Sequence, residues 1–352
     1  MGIEQKSLVM DRRTFLRAGA TLIGTGASLS LLQACGQGAS SSRQQTSGGR
    51  RMKNVSLRFN WTVKGEFTPL FVAREKGFYR EQKINVALRE GKSGTQAAQV
   101  VATGNDQFGY IPSIQVIQGI NQGMPLITLA TCGKATGMCW ASWPNIPLTG
   151  PKSLEGHKVS ISSSSTFFQV WNAFARKFHV DKSKVDVVSP DPSARDGLFL
   201  HHQIDIMADI FWANDYVILQ QQAAPTKLNV LRMSSLNFDP VGYLLVVNKR
   251  FLEKERNLVK GFVEATLKGF QYTIDHPDDA TQIMTRLYGK RLGKKVIAGQ
   301  IRNMLDLLND KPVLGKSETQ PWNHSLTLLK ESGVIDKKLP LGHYFTNEFI
   351  GG

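Results

Sequence analysis

Five stretches of the sequence place small polar and aromatic residues where a strand pattern gives way to a helix pattern, positions from which side chains and backbone N–H groups can reach a ligand. They are "FNWTVKGEF" with Asn60, Trp61 and Phe67, "KSGTQ" with Ser93 and Thr95, "YIPSIQ" with Tyr110 and Ser113, "SSSSTFF" with Ser164 and Phe167, and "FWANDY" with Trp212, Asn214 and Asp215. Two chemistries follow. Ser and Thr at helix starts surround exposed N–H groups that can hold an anionic or acceptor group, although an ordinary N-cap explains any one of them alone. Aromatic rings at the same turns can enclose a planar guest, each offset stack contributing about 0.5 to 1.5 kcal/mol beyond area burial. Asn214 and Asp215 could then bond the edge of such a ring. Phe71, Phe78 and Trp171 fall on helix faces and read as core.

Covalent chemistry has less support. Neither G-x-S-x-G nor H-E-x-x-H occurs, and Cys132 and Cys139 lack the spacing of a redox or zinc pair, though a disulfide across "CGKATGMC" is open. His201 and His202, with Asp205 following, invite a metal reading, but adjacent helical residues point about 100° apart and do not converge on one ion. The expectation is a binding protein with no catalytic residues, metal or cofactor.

These turns must be carried by a regular frame. After Val55 the sequence alternates strand-like and helix-like segments from "VSLRFNW" to "PLITLAT", then restarts at "HKVSIS" and runs to "LNVLRM". Alternating βα units imply parallel sheets with helices on both faces, and two such blocks in series imply two α/β lobes. "MCWASWPNIPLTGPKSLEG" and "VGYLLVVNK" read as segments crossing between lobes, with Trp140 and Trp143 as candidate cleft walls. The helix-rich remainder from Asn257 reads as a return to the first lobe. The expected organisation is lobe I from 54–140 and 241–352, with lobe II from 141–240.

The N-terminus has a different character. "DRRTFLRAG" precedes the Gly/Ala-rich apolar run 18–34, whose three glycines make a poor core helix, and the run ends in "LLQACG". The paired arginine resembles the twin-arginine export motif, with Asp11 where Ser or Thr is commoner, and Leu-x-Ala-Cys-Gly resembles a lipobox that would place lipid on Cys35. Residues 1–34 are thus expected to be a signal peptide, and the Gly/Ser/Gln-rich 35–53 a flexible tether. Localisation at the outer face of the cytoplasmic membrane follows. The whole chain carries +15; without residues 1–34 it holds 39 Lys and Arg against 26 Asp and Glu, or +13. An exported, tethered protein meets anionic lipid or ligand rather than nucleic acid, and scattered solvated charge accounts for most of the excess.

From "FNWTVKGEFTPLFVAREKGFYREQKINVALREG" to "GNDQFGY", and again in "SLEGHKVSI", "FVEATLKGFQYTIDHPDDA" and "YFTNEFI", the sequence resembles the ABC-importer solute-binding proteins of the thiamine-precursor and alkanesulfonate type. The resemblance implies a type II periplasmic-binding-protein fold, two α/β lobes closing over a cleft, and a monomer that delivers a small molecule to a permease and its ATPase. It also implies ligand-facing roles for Trp61 and Trp212. Among the family's ligands the aromatic count favours a planar heterocycle, riboflavin slightly ahead of a thiamine pyrimidine precursor, with an alkanesulfonate, taurine or nitrate-type anion as the alternative. A fungal branch is a single-turnover pyrimidine synthase that uses its own histidine shortly after the tryptophan together with a cysteine-rich motif. Here "TVKGEFTPL" follows Trp61, with no histidine, which disfavours that chemistry.

Overall fold

The computed structural model describes residues 51–308 and 313–351. The signal, Cys35 and all but the last residues of the tether lie outside the described residues.

Ten strands form two five-stranded sheets: β1 (Lys53–Phe59), β2 (Ile84–Arg89), β3 (Phe108–Pro112), β4 (Leu126–Thr131), β5 (Met138–Ser142), β6 (Lys158–Ser160), β7 (Asp186–Val188), β8 (Ile206–Phe211), β9 (Asn229–Arg232) and β10 (Tyr243–Asn248). The orders are β2-β1-β3-β10-β4 and β7-β6-β8-β5-β9. Strands β3, β4, β5 and β10 are buried along their whole length, as expected where helices cover both faces. The α/β class and the two lobes agree with the sequence reading.

Two details correct it. The sheets are mixed: β10 runs antiparallel to β3 and β4, and β5 antiparallel to β8 and β9. The apolar runs read as crossings are therefore inner strands, one per sheet, each entered just after the chain has changed lobe. The crossings themselves are the more polar residues 132–137 and 233–242. β5 spans the 140/141 boundary set from the sequence and lies wholly in the second sheet.

The C-terminal helices pack against the first sheet. Phe262, on helix Arg256–Asp275, stacks on Phe108 with ring centroids 3.7 Å apart. That helix passes so close to Thr68–Glu75 that a Cβ on Gly269 would stand 2.3 Å from the Pro69 carbonyl oxygen. Helix Thr319–Glu331 sits at the crossings: Trp322 Nε1 donates to Thr131 Oγ1 (3.2 Å), and Ser325 Oγ accepts from the Val241 N–H (2.9 Å). Asp239 ties one crossing to the other, accepting from the Thr136 and Gly137 N–H groups at 2.9 and 3.3 Å. Burial nevertheless pushes its carboxyl up to about 7. Cys132 and Cys139 are buried and form no disulfide. Among the described residues no helix is long and apolar enough to cross a membrane.

Candidate functional site

The carboxyl ends of β1, β6 and β8 converge on a cleft between the two sheets, where ligands are expected in open α/β architecture. Its volume is about 140 Å³. On the first-sheet side Asn60 and Trp61 follow β1, Ser93 and Gly94 open the helix Gly94–Ala102, and Tyr243 begins β10. The local folding is legible: Ser93 Oγ accepts from the Gln96 N–H (3.1 Å) as an N-cap. On the other side Ser162, Ser164, Ser165 and Thr166 follow β6, Asp209 and Phe211 end β8, and Asn214 and Asp215 start the next helix. Ser165 Oγ caps Thr166–Lys177 through the Phe168 N–H (3.1 Å).

Half of the residues expected at the site line it: Asn60, Trp61, Ser93, Ser164, Asn214 and Asp215. The others are placed elsewhere. Phe67 stacks on Phe59 (4.4 Å) inside the first lobe, and Tyr110 stacks behind Tyr243 (5.0 Å). Phe167 packs against Trp140 and Phe174, Ser113 donates its hydroxyl to the buried Val241 carbonyl, and Thr95 turns to solvent. Trp212 lies behind the cleft wall, stacked on Tyr216 (4.9 Å) with the Arg232 guanidinium over its ring (5.2 Å). Trp143 stacks on Phe199 and His202 instead of walling the cleft.

Apart from Asp215, sequence reasoning missed the charged part of the site. Arg195, from helix Pro192–Leu200, meets Asp215 at 3.1 Å, Asp196 at 3.0 Å and Asp209 at 3.8 Å. Burial disfavours its charge, but the carboxylates of Asp215, Asp209 and Asp196 more than offset that and hold its pKa above the ordinary value. Asp209 also accepts from the Ser162 N–H (2.7 Å) and Ser160 Oγ (3.2 Å). One signal was available, a lone carboxylate inside the apolar run "IMADIF". With Lys64 the lining carries two cations against three carboxylates, so the cleft offers no net positive field.

Behind the lining stands a buried carboxyl from the first lobe, Glu66. It accepts from Asn214 Nδ2 (2.7 Å) across the cleft and from the Tyr243 hydroxyl (3.3 Å), while Asn60 Nδ2 donates to the Tyr243 oxygen (3.4 Å). Burial, the largest influence, pushes the Glu66 carboxyl up to about 7. Both amide oxygens, Asn60 Oδ1 and Asn214 Oδ1, are buried and without a hydrogen-bond partner. An uncompensated buried acceptor costs about 1 to 3 kcal/mol, and both of these belong to residues that line the cleft.

Two mixed sheets, two crossings and a polar cleft between the lobes are the architecture of the periplasmic-binding-protein fold. The fold is shared with the periplasmic aliphatic sulphonate binding protein SsuA from Escherichia coli, at a TM-score of 0.64 and 16% identity over 82% of this chain and 91% of that one. The sequence matches the NMT1/THI5-like family over residues 64–280, and the chain belongs to that family. Similar proteins include the riboflavin-binding protein RibY of Chloroflexus aurantiacus, 22% identical over 86% of this chain and 87% of its own. A 4-amino-5-hydroxymethyl-2-methylpyrimidine phosphate synthase of Legionella pneumophila is 20% identical, over 84% and 92% respectively. The family relatives thus include both a protein named for binding a solute and one named as a synthase.

Proposed function

We propose that this protein captures a small single-ring nitrogen heterocycle bearing N–H donors, of the aminopyrimidine kind, and hands it to an ABC permease and ATPase. The observation that carries the reading is a cleft of about 140 Å³ flanked by two partnerless amide oxygens, Asn60 Oδ1 and Asn214 Oδ1. An apolar cavity of about 150 Å³ holds one benzene ring, whereas drug-sized ligands need roughly 300 Å³ or more. A single ring is nearer that size than a tricyclic flavin is. The aromatic count that favoured riboflavin loses its force once Phe67, Tyr110 and Phe167 are assigned to packed interior and Trp212 to a stack on Tyr216 outside the lining. A sulfonate or nitrate is disfavoured for another reason: Arg195 is already surrounded by three carboxylates.

No covalent step is required. A guest bridging Asn60 and Asn214 favours the closed arrangement, and an importer that recognises this arrangement reads occupancy as a population shift. Lipid on Cys35 would keep the receptor at the outer face of the cytoplasmic membrane, a reading supported by "LLQACG". Thermal unfolding of the purified protein with an aminopyrimidine, riboflavin and an alkanesulfonate tests the ligand class. The aminopyrimidine at a hundredfold excess over Kd should raise Tm by roughly 5 °C. A shift with the sulfonate or riboflavin alone would reverse the assignment. Steady turnover of the pyrimidine by the isolated protein would replace the carrier reading with a synthase.

A further inference from the structure

We infer that Glu66 sets which end of the Asn214 amide faces the ligand, so that the protonation state of one buried carboxyl selects between donor-bearing and acceptor-bearing heterocycles. The inference rests on the cleft being the ligand site proposed above.

The argument begins with what a carboxylate can do. Ionised Glu66 only accepts, so the amide end directed at its Oε1, 2.7 Å away, must be the NH2 group. Asn214 Oδ1 is left as the end without a partner. Both residues are more than nine-tenths buried, Glu66 at 4% and Asn214 at 6% exposure, so water does not scramble the orientation. A protonated Glu66 carries an O–H that needs an acceptor. Rotating the Asn214 amide by half a turn supplies one and leaves its NH2 as the free end, turning an acceptor site into a donor site. Glu66 is therefore a positioning residue acting through Asn214.

Every charged or titratable group facing Glu66 bears on where this happens. Lys64, on its own turn, favours the anion, while Asp215 across the cleft disfavours it. The Tyr110 and Tyr243 phenols of the first sheet feel the Glu66 charge, and their own titration lies well above the neutral range. Gln300, on helix Lys294–Leu308, is neutral and holds both partners in place, accepting from the Gly65 N–H (2.6 Å) and donating to the Asn214 carbonyl (3.3 Å). Burial dominates, and it brings the Glu66 carboxyl to about 7, within the range in which an exported protein works.

The test compares two probes, 4-amino-5-hydroxymethyl-2-methylpyrimidine and its 4-oxo counterpart, titrated calorimetrically into the purified full chain and into Glu66→Gln between pH 6 and 8.5. The preference for the amino over the oxo compound should fall about tenfold in the unsubstituted protein as the pH drops from 8 to 6. In Glu66→Gln it should stay constant. Ligand protonation enters both proteins equally, so identical profiles would overturn the inference. A ligand-free measurement separates it from the functional reading: the Glu66 carboxyl carbon, followed by NMR in the apoprotein, should titrate near pH 7, and higher in Asn214→Ala, which removes the bond to the anion. A midpoint near that of an ordinary glutamate overturns the inference even if neither pyrimidine binds. If neither probe binds while Glu66 titrates near 7, the pyrimidine reading fails and the inference about the carboxyl stands.

Discussion

The two walls of the cleft are made of different chemistry. The first-sheet wall presents amide, indole, hydroxyl and phenol groups from Asn60, Trp61, Ser93 and Tyr243 with a single charge, Lys64, whereas the second gathers Arg195, Asp196, Asp209 and Asp215 beside Asn214, Phe211 and the hydroxyls that follow β6. Each wall has an amide oxygen without a donor, Asn60 Oδ1 and Asn214 Oδ1, and the first adds a partly buried indole, Trp61. The charged groups of the second wall have little left: each carboxylate already meets the guanidinium, and Asp209 and Asp215 also take backbone N–H groups from Ser162 and Phe211. The hydrogen-bond pattern is thus read by one amide from each wall, Asn60 and Asn214, and the charges of the second wall act mainly on one another, fixing the turns that carry Asn214.

That division is most directly broken at Arg195, whose side chain is 12% exposed. Arg195→Met leaves Asp209 buried and Asp215 nearly so without their common counter-charge, a change of the kind that costs about 3 to 5 kcal/mol. Chemical denaturation should show a loss of this size, together with loss of ligand binding as the turn after β8 relaxes. If instead Arg195→Met left stability intact and weakened only the binding of an anion, Arg195 would be a ligand-binding group and the walls would have to exchange roles.

The next largest effect concerns the two buried carboxyls, Glu66 beneath the cleft and Asp239 between the crossings, each pushed up to about 7. Between the unfolded values near 4 and the folded value near 7 the native state binds more protons than the unfolded one, so stability falls as pH rises through that window. At about 1.36 kcal/mol per pKa unit each group can account for roughly 3 to 4 kcal/mol between pH 4 and 7.5. Glu66→Gln and Asp239→Asn should each flatten part of the slope of unfolding free energy against pH, and the double variant most of it. Only Glu66→Gln should also alter ligand preference. An Asp239→Asn variant with changed preference would show that the crossings report on the cleft more closely than their separation suggests.

The asymmetry between the walls also marks what could be read from the sequence. Asn60, Ser93, Ser164, Asn214 and Asp215 were found because a residue that follows a strand or caps a helix is held at the sheet's carboxyl end by backbone geometry alone. The aromatic residues at the same turns were not reliably placed. Phe67 and Trp212 lie a few positions from cleft residues, and at a turn such a shift points a ring into the core instead of the opening, where apolar burial holds it. The Arg195 cluster was illegible for a different reason: Asp209 and Asp215 lie 14 and 20 residues along the chain from Arg195, and only the fold of the second lobe brings them together. Strand direction was hidden too. Periodicity reports which faces are buried and says nothing about whether β5 and β10 run with or against their neighbours.

The smallest expected effect separates the two tryptophans that the family resemblance treats alike. Trp61 lines the cleft and is partly buried, so Trp61→Ala should remove one stacking surface and weaken pyrimidine binding by about 1 kcal/mol, roughly fivefold in Kd. Trp212 packs on Tyr216 and under Arg232, away from the lining. Trp212→Ala should therefore lower Tm by several degrees while Kd stays within about twofold, because its loss opens a cavity behind the wall and leaves the wall's ligand-facing groups in place. Calorimetric Kd and thermal unfolding on the same two variants decide between this and a symmetric indole clamp: equal losses of affinity would mean that the loaded cleft draws Trp212 around to the ligand, adding an indole to the one aromatic residue, Phe211, that the second lobe contributes to the lining.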